Sequence, residues 1–351
     1  MITAKENMMM AYHHQKPYWT PCQTTDQDTC IPSCLEEGPT GVGLTKDGWG
    51  VEWILDDTQP GPFPNEGYTV LDIDDFENWR DIVVFPDYEK YDWEAAAARD
   101  TAGWDRENRL STCIIVNGML ERLNALSGME GSLMALAMYP EESYDLLSAI
   151  ADHKIGYIRK IAQYYKPDKI TLHDDYGSIS RMLMSPETWR EIIKPNLKKI
   201  IDATHECGML YEHHSCGYIR PILEDIIEIG ADAWNPVQLT NDPEELLQTW
   251  AGKFTFVGGF DNLNVLDVPG ASYDEKYASI KKTVETLSPY GSWVAEPVMV
   301  QMDTAQPLVD LMYEYNKPLK DAVGVPSEKP GKFAGHSAYE TADTIDGMKG
   351  R

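Results

Sequence analysis

Met209-Leu210-Tyr211-Glu212-His213-His214-Ser215-Cys216-Gly217-Tyr218-Ile219 decides how this chain is to be read. Met209 to His213 is a short strand-like run, and Ile219 to Ile229 has the apolar spacing of a helix. The polar residues between them therefore sit where a strand ends and a helix begins. In α/β folds, chemistry collects at the C-terminal ends of parallel strands, and His and Cys are side chains that zinc favours.

The same alternation extends in both directions. Extended runs at Cys113 to Val116, Lys169 to Leu172, Met209 to His213, Ala233 to Val237, Phe254 to Val257 and Trp293 to Ala295 alternate with helical patterns. Those patterns cover 135–165 with a break, 186–206, 219–229, 243–251, 273–287 and 305–319. Ser185-Pro186-Glu187 marks a helix start and Cys207-Gly208 a stop. Gly258-Gly259-Phe260-Asp261 lacks the lysine of a P-loop and the spacing of a dinucleotide loop, which argues against an open doubly wound sheet. The expected fold is α/β, a (β/α)8 TIM barrel, with its first strands in a loop-rich N-terminal extension. One domain over 1–351 is expected, with 1–108 as cap and loops and 109–325 as the clearer βα repeats.

Polar residues gather at five strand ends: His173-Asp174-Asp175-Tyr176-Gly177, His213-His214-Ser215-Cys216, Asn235-Pro236-Val237-Gln238, Gly259-Phe260-Asp261 and Glu296-Pro297. Their convergence predicts an active site on that face. Asp174 and Asp175 point to opposite sides of an extended segment, so one faces the mouth and the other is free to cap a helix.

The 351 residues carry a formal charge of −27, a field that repels nucleic acid and anionic membranes. No run of about 18 apolar residues and no secretory leader pattern occurs, so a cytoplasmic protein is expected. Six irregularly spaced cysteines suit a reducing compartment better than a disulfide framework.

Several motifs in register, Lys46-Asp47-Gly48-Trp49-Gly50-Val51-Glu52-Trp53, Gly128-Met129-Glu130, His173-Asp174-Asp175-Tyr176-Gly177, Ser185-Pro186-Glu187, His214-Ser215-Cys216-Gly217, Asn235-Pro236-Val237-Gln238 and Gly258-Gly259-Phe260-Asp261, resemble the uroporphyrinogen decarboxylase superfamily. More narrowly, the chain is similar to its corrinoid-dependent methyltransferase branch. True decarboxylases carry an arginine-rich segment near the N-terminus for the substrate's carboxylates, whereas no arginine precedes Arg80 here. The resemblance implies zinc held by His-x-Cys and a later cysteine. His214 and Cys216 map onto the first two ligands, but no cysteine follows Cys216. The third position falls at about Val298, and Glu296, two residues earlier and on the same face if the segment is extended, is the candidate, with Asp261 or His173 as substitutes.

On this reading the protein demethylates a small methylated compound, a methyl ether, and passes the methyl to a corrinoid protein. His173, Asp174 and Asp175 are the expected catalytic residues; Trp49, Tyr176, Asn235, Gln238 and Asp261 would bind substrate. The Asp-x-His-x-x-Gly loop of a cobalamin-binding module is missing from the chain, so the corrinoid is expected on a partner. A homodimer is compatible with the sequence. The competing expectations are transfer from a methylcorrinoid to a thiol, a decarboxylase, and a non-catalytic ligand-binding barrel.

Overall fold

The computed structural model describes residues 1–56, 61–297 and 302–332. Seven parallel strands form its central sheet, and all but the first are largely or wholly buried. They are β1 (Gln27–Cys30), β5 (Leu110–Ile115), β6 (Lys169–His173), β7 (Leu210–His214), β8 (Ala233–Val237), β9 (Thr255–Gly258) and β10 (Trp293–Val294), adjacent in that order. Parallel strands covered on both faces read as continuous apolar runs, which is why the last six stood out in sequence while the polar, partly buried Gln27–Cys30 did not. The sheet curls until its edges meet. Cys22, just before β1, forms an isolated parallel bridge to Ala295, just after β10. There the Ala295 N–H donates to Pro21 O at 2.9 Å and the Gln23 N–H to Ala295 O at 3.0 Å. The described residues thus give seven strands joined by a single bridge, where eight strands were expected.

Most helices fall close to their expected positions, although the first pattern, expected from 135, is preceded by a helix that begins at Leu120. Tyr273–Leu287 matches, and the break in the first helical pattern separates Leu120–Met138 from Pro140–Tyr164. The stretch 186–206 contains a π turn at Trp189–Ile193. Pro195 follows it closely and has no N–H to continue the α-helical ladder.

The N-terminal part is more ordered than loop-rich composition implies. Ala4–Tyr12 is a helix with a Thr3/Glu6 capping box. Its Met8, Ala11 and Tyr12 pack against Leu110, Ala233, Val257 and Val294 inside the curled sheet. The strands β2 (Gly43–Lys46), β3 (Glu52–Leu55) and β4 (Phe63–Pro64) form a small antiparallel sheet. Buried ion pairs tie this cap to the helices behind β5. Arg122 meets Asp47 and Glu37 at 2.6 Å each, and Lys154 meets Glu37 at 2.6 Å. No helix among the described residues is long and apolar enough to cross a membrane.

Candidate metal centre

The loops that follow β6 and β7 lie back to back. A Cβ on Gly177 would sit 2.6 Å from the Tyr218 nitrogen, and one on Gly217 2.3 Å from the Gly177 carbonyl carbon. Gly217 also has φ +78°, so glycine is required there on two counts. This close approach carries Asp175 from one loop to Cys216 in the other. The Cys216 N–H donates to Asp175 Oδ1 at 2.7 Å. His214, the last residue of β7, places Nε2 3.7 Å from Cys216 Sγ and 3.9 Å from Asp175 Oδ1. Ligand atoms of Asp175, His214 and Cys216 all lie within 4.8 Å of one another.

One imidazole, one thiol and one carboxylate oxygen fit a borderline-soft divalent cation, and zinc in particular. Burial acts in opposite ways on the thiol and the imidazole: it holds a proton on the first and keeps one off the second. Burial, followed by the charges of Asp175 and Glu121, raises the Cys216 thiol well above its ordinary pKa. Burial lowers His214, so its imidazole is favoured in the neutral form that ligates metals. Glu121 brings a further carboxyl to the group rather than a positive charge. Burial and the adjacent Asp175 and Asp174 raise its own carboxyl well above the usual range. Its Oε1 accepts the Asp175 N–H at 3.2 Å.

The two aspartates separate as alternation along an extended segment requires. Asp175 faces His214 and Cys216. Asp174 is fully buried, accepts the Glu121 N–H at 2.9 Å, and so caps Leu120–Met138, a helix start that the sequence reading missed. Burial pushes its carboxyl up to about 6. Tyr176 donates its hydroxyl to Asp174 at 2.7 Å and is buried against His213 and Trp189, so it supports the loop from behind. His173 stacks on His214 with ring centroids 3.7 Å apart, and burial lowers its pKa well below the ordinary value.

Other expected residues are placed elsewhere. Glu296 is turned toward the seam of the sheet, where Oε2 accepts from the N–H and hydroxyl of Thr24 at 3.0 and 2.8 Å. The bridge from Ala295 to Cys22 sets Thr24 beside it, and burial pushes its carboxyl up to about 7. It is not part of the three-residue group, where Asp175 takes its place; Val298 lies outside the described residues. Trp49 lines no open wall. It is 1% exposed, and its indole N–H donates to Glu37 within the ionic cluster beneath the cap. Gln238 accepts the Gly217 N–H at 2.8 Å and holds the loop. Asp261 caps its own turn through Asn264 and borders a separate groove between Pro243–Trp250 and Tyr273–Leu287. Asn235 meets His214 Nδ1 at 3.1 Å. Glu121, now beside Asp175, had no sequence signal, because nothing local relates a helix start after β5 to the loop after β6.

Residues 123–292 match the family model for uroporphyrinogen decarboxylase (URO-D). Among solved structures, a methyltransferase from Methanosarcina mazei is 15% identical, with a TM-score of 0.64 over 90% of this chain and 99% of that one. At that identity the likeness establishes a shared fold. Xylanase B from Clostridium stercorarium F9 is 14% identical over 60% of this chain and 73% of that one, with a TM-score of 0.37, too low to bear on the argument. No curated protein matches the sequence.

Proposed function

We propose that this protein is a zinc-dependent methyltransferase that demethylates a small methyl ether and passes the methyl group to a corrinoid carried by a partner protein. The observation that carries the proposal is the Asp175, His214 and Cys216 group at the C-terminal ends of the strands, on a fold shared with a methyltransferase. His214 Nε2, Cys216 Sγ and an Asp175 oxygen would hold the metal and leave one position open. When bound, zinc supplies a Lewis acid for the ether oxygen.

The residues of the chain do the rest. As the O–CH3 bond breaks, its electron pair stays on oxygen, while the new bond to carbon uses the electron pair of the reduced corrinoid. The half-buried Glu121 carboxyl holds a proton beside Asp175 and hands it to the leaving oxygen. Burial and the neighbouring aspartates raise its pKa, which favours the protonated form. A set with one thiolate leaves the cation more electrophilic than a set with two, which suits a neutral ether better than release of a thiolate nucleophile.

Purified protein is expected to hold about one zinc per chain and to convert the Co(I) absorbance of a reduced corrinoid protein to that of its methylated form when a methoxylated donor is added. Zinc removal should stop the conversion. Full zinc content in a His214→Ala, Cys216→Ala double variant, zinc-independent methylation, or release of carbon dioxide from a porphyrinogen would overturn the proposal.

A further inference from the structure

A line of buried amides connects His214 to an ion pair deep in the sheet. Lys169 Nζ and Glu212 Oε2 lie 2.6 Å apart, both essentially without exposure. Gln23 Nε2 donates to the two Glu212 oxygens at 3.2 and 3.0 Å. Asn235 Nδ2 donates to Gln23 Oε1 at 3.4 Å, the longest link. Asn235 Oδ1 then faces His214 Nδ1 at 3.1 Å.

Amide orientation is ambiguous in isolation, since oxygen and nitrogen differ little in shape. Here one end removes the ambiguity. A carboxylate paired with lysine accepts and does not donate, so Gln23 must turn its NH2 toward Glu212 and its oxygen toward Asn235. Asn235 must then offer its NH2 to Gln23 and its oxygen to the imidazole. An oxygen opposite Nδ1 requires a proton there, which leaves the Nε2 lone pair directed at Cys216 and Asp175.

We infer that Gln23 is a positioning residue: it reads the polarity of the Lys169–Glu212 pair and transmits it through Asn235 to select the Nδ1–H tautomer of His214, the form that ligates through Nε2. Gln23 can do this because its own N–H is bonded to Ala295 at the bridge joining the sheet edges. Closure of the sheet and orientation of the metal-facing histidine therefore depend on one residue. The inference rests on the reading of His214 as a zinc ligand, but the tautomer can be observed without metal.

Histidine-selective 15N NMR of the metal-free protein should show His214 protonated at Nδ1. Gln23→Met keeps a similar shape without the amide; it should mix the tautomers and weaken zinc binding in chelator competition by about 10-fold, as loss of an outer-shell partner does. Adding Asn235→Asp should restore most of that affinity, because both carboxylate oxygens accept and orientation ceases to matter. A filler role for Gln23 would show no such rescue. An Nε2–H tautomer in the wild type, a Gln23→Met variant with unchanged tautomer and affinity, or a double variant no better than the single one would overturn the inference. The first of these does not depend on any variant folding. Wild-type protein with the Nδ1–H tautomer but no zinc affinity would instead overturn the metal reading and leave the tautomer assignment standing.

Discussion

Glu121 and Arg122 are neighbours on one helix and enter two buried clusters with opposite charge balance. Arg122 joins Lys154, Glu37 and Asp47 beneath the cap, with each carboxylate within 2.6 Å of a cation. Despite burial, Lys154 and Arg122 hold the Glu37 carboxyl down to about 2. Glu121 joins Asp174, Asp175, His214 and Cys216 at the mouth. Lys154, which acts against the rise in the Glu121 pKa, is itself paired with Glu37. A cluster that supplies its own counter-charges is complete as folded, and holds the cap to the barrel. A cluster of acids, a neutral imidazole and a raised thiol is stabilised by a proton or a cation from outside.

The sharpest way to break this comparison is to remove a charge from each side. Arg122→Met takes the cation from buried Asp47 and leaves Glu37 with Lys154 alone, and should lower unfolding stability by about 3–5 kcal/mol, read from urea midpoints. Asp175→Asn in metal-free protein should stay within about 1 kcal/mol of the parent, because the amide oxygen still accepts the Cys216 N–H and one acid is removed from beside Glu121. Equal losses from the two variants would erase the distinction.

Zinc retention comes next in size. Asp175→Asn should weaken it by more than the roughly 10- to 100-fold typical of outer-shell changes, while Glu296→Gln should leave it near the parent value. The reverse pattern would return the third ligand to the seam.

The smallest effect is a contrast in pH dependence. Glu37 titrates in the folded chain at about 2, below its ordinary 4.5, so its contribution is complete above 4.5 and is lost as pH falls toward 2. Asp174 titrates at about 6, above its ordinary 3.8, so its contribution is complete below 3.8 and fades as pH rises through 6. In denaturation series, Asp174→Asn should flatten the decline between pH 4 and 6 without altering the acid limb. Loss of the acid limb instead would show the two clusters to be coupled.

Local pattern was enough for the repeats. Ala233–Val237 and Tyr273–Leu287 form where strand and helix periodicity place them. The split between Asp174 and Asp175 follows from strand alternation alone. Trp49 was misjudged because its partners are distant in the chain; the Arg122–Asp47 pair beside it spans 75 residues. Glu296 was chosen by its two-residue spacing from the expected ligand position, yet that spacing says nothing about Thr24, which reaches it across 272 residues.

By itself, the sequence determined that strands alternate with helices and that His214 and Cys216 stand together at a strand end, because both follow from periodicities of a few residues. Tertiary structure alone decided that Asp175 completes the group, that Glu121 stands beside it and that Asn235 holds the imidazole. Those choices depend on how closely neighbouring loops pass at Gly177 and Gly217 and on where the curled sheet meets its own edge, distances that no local pattern encodes.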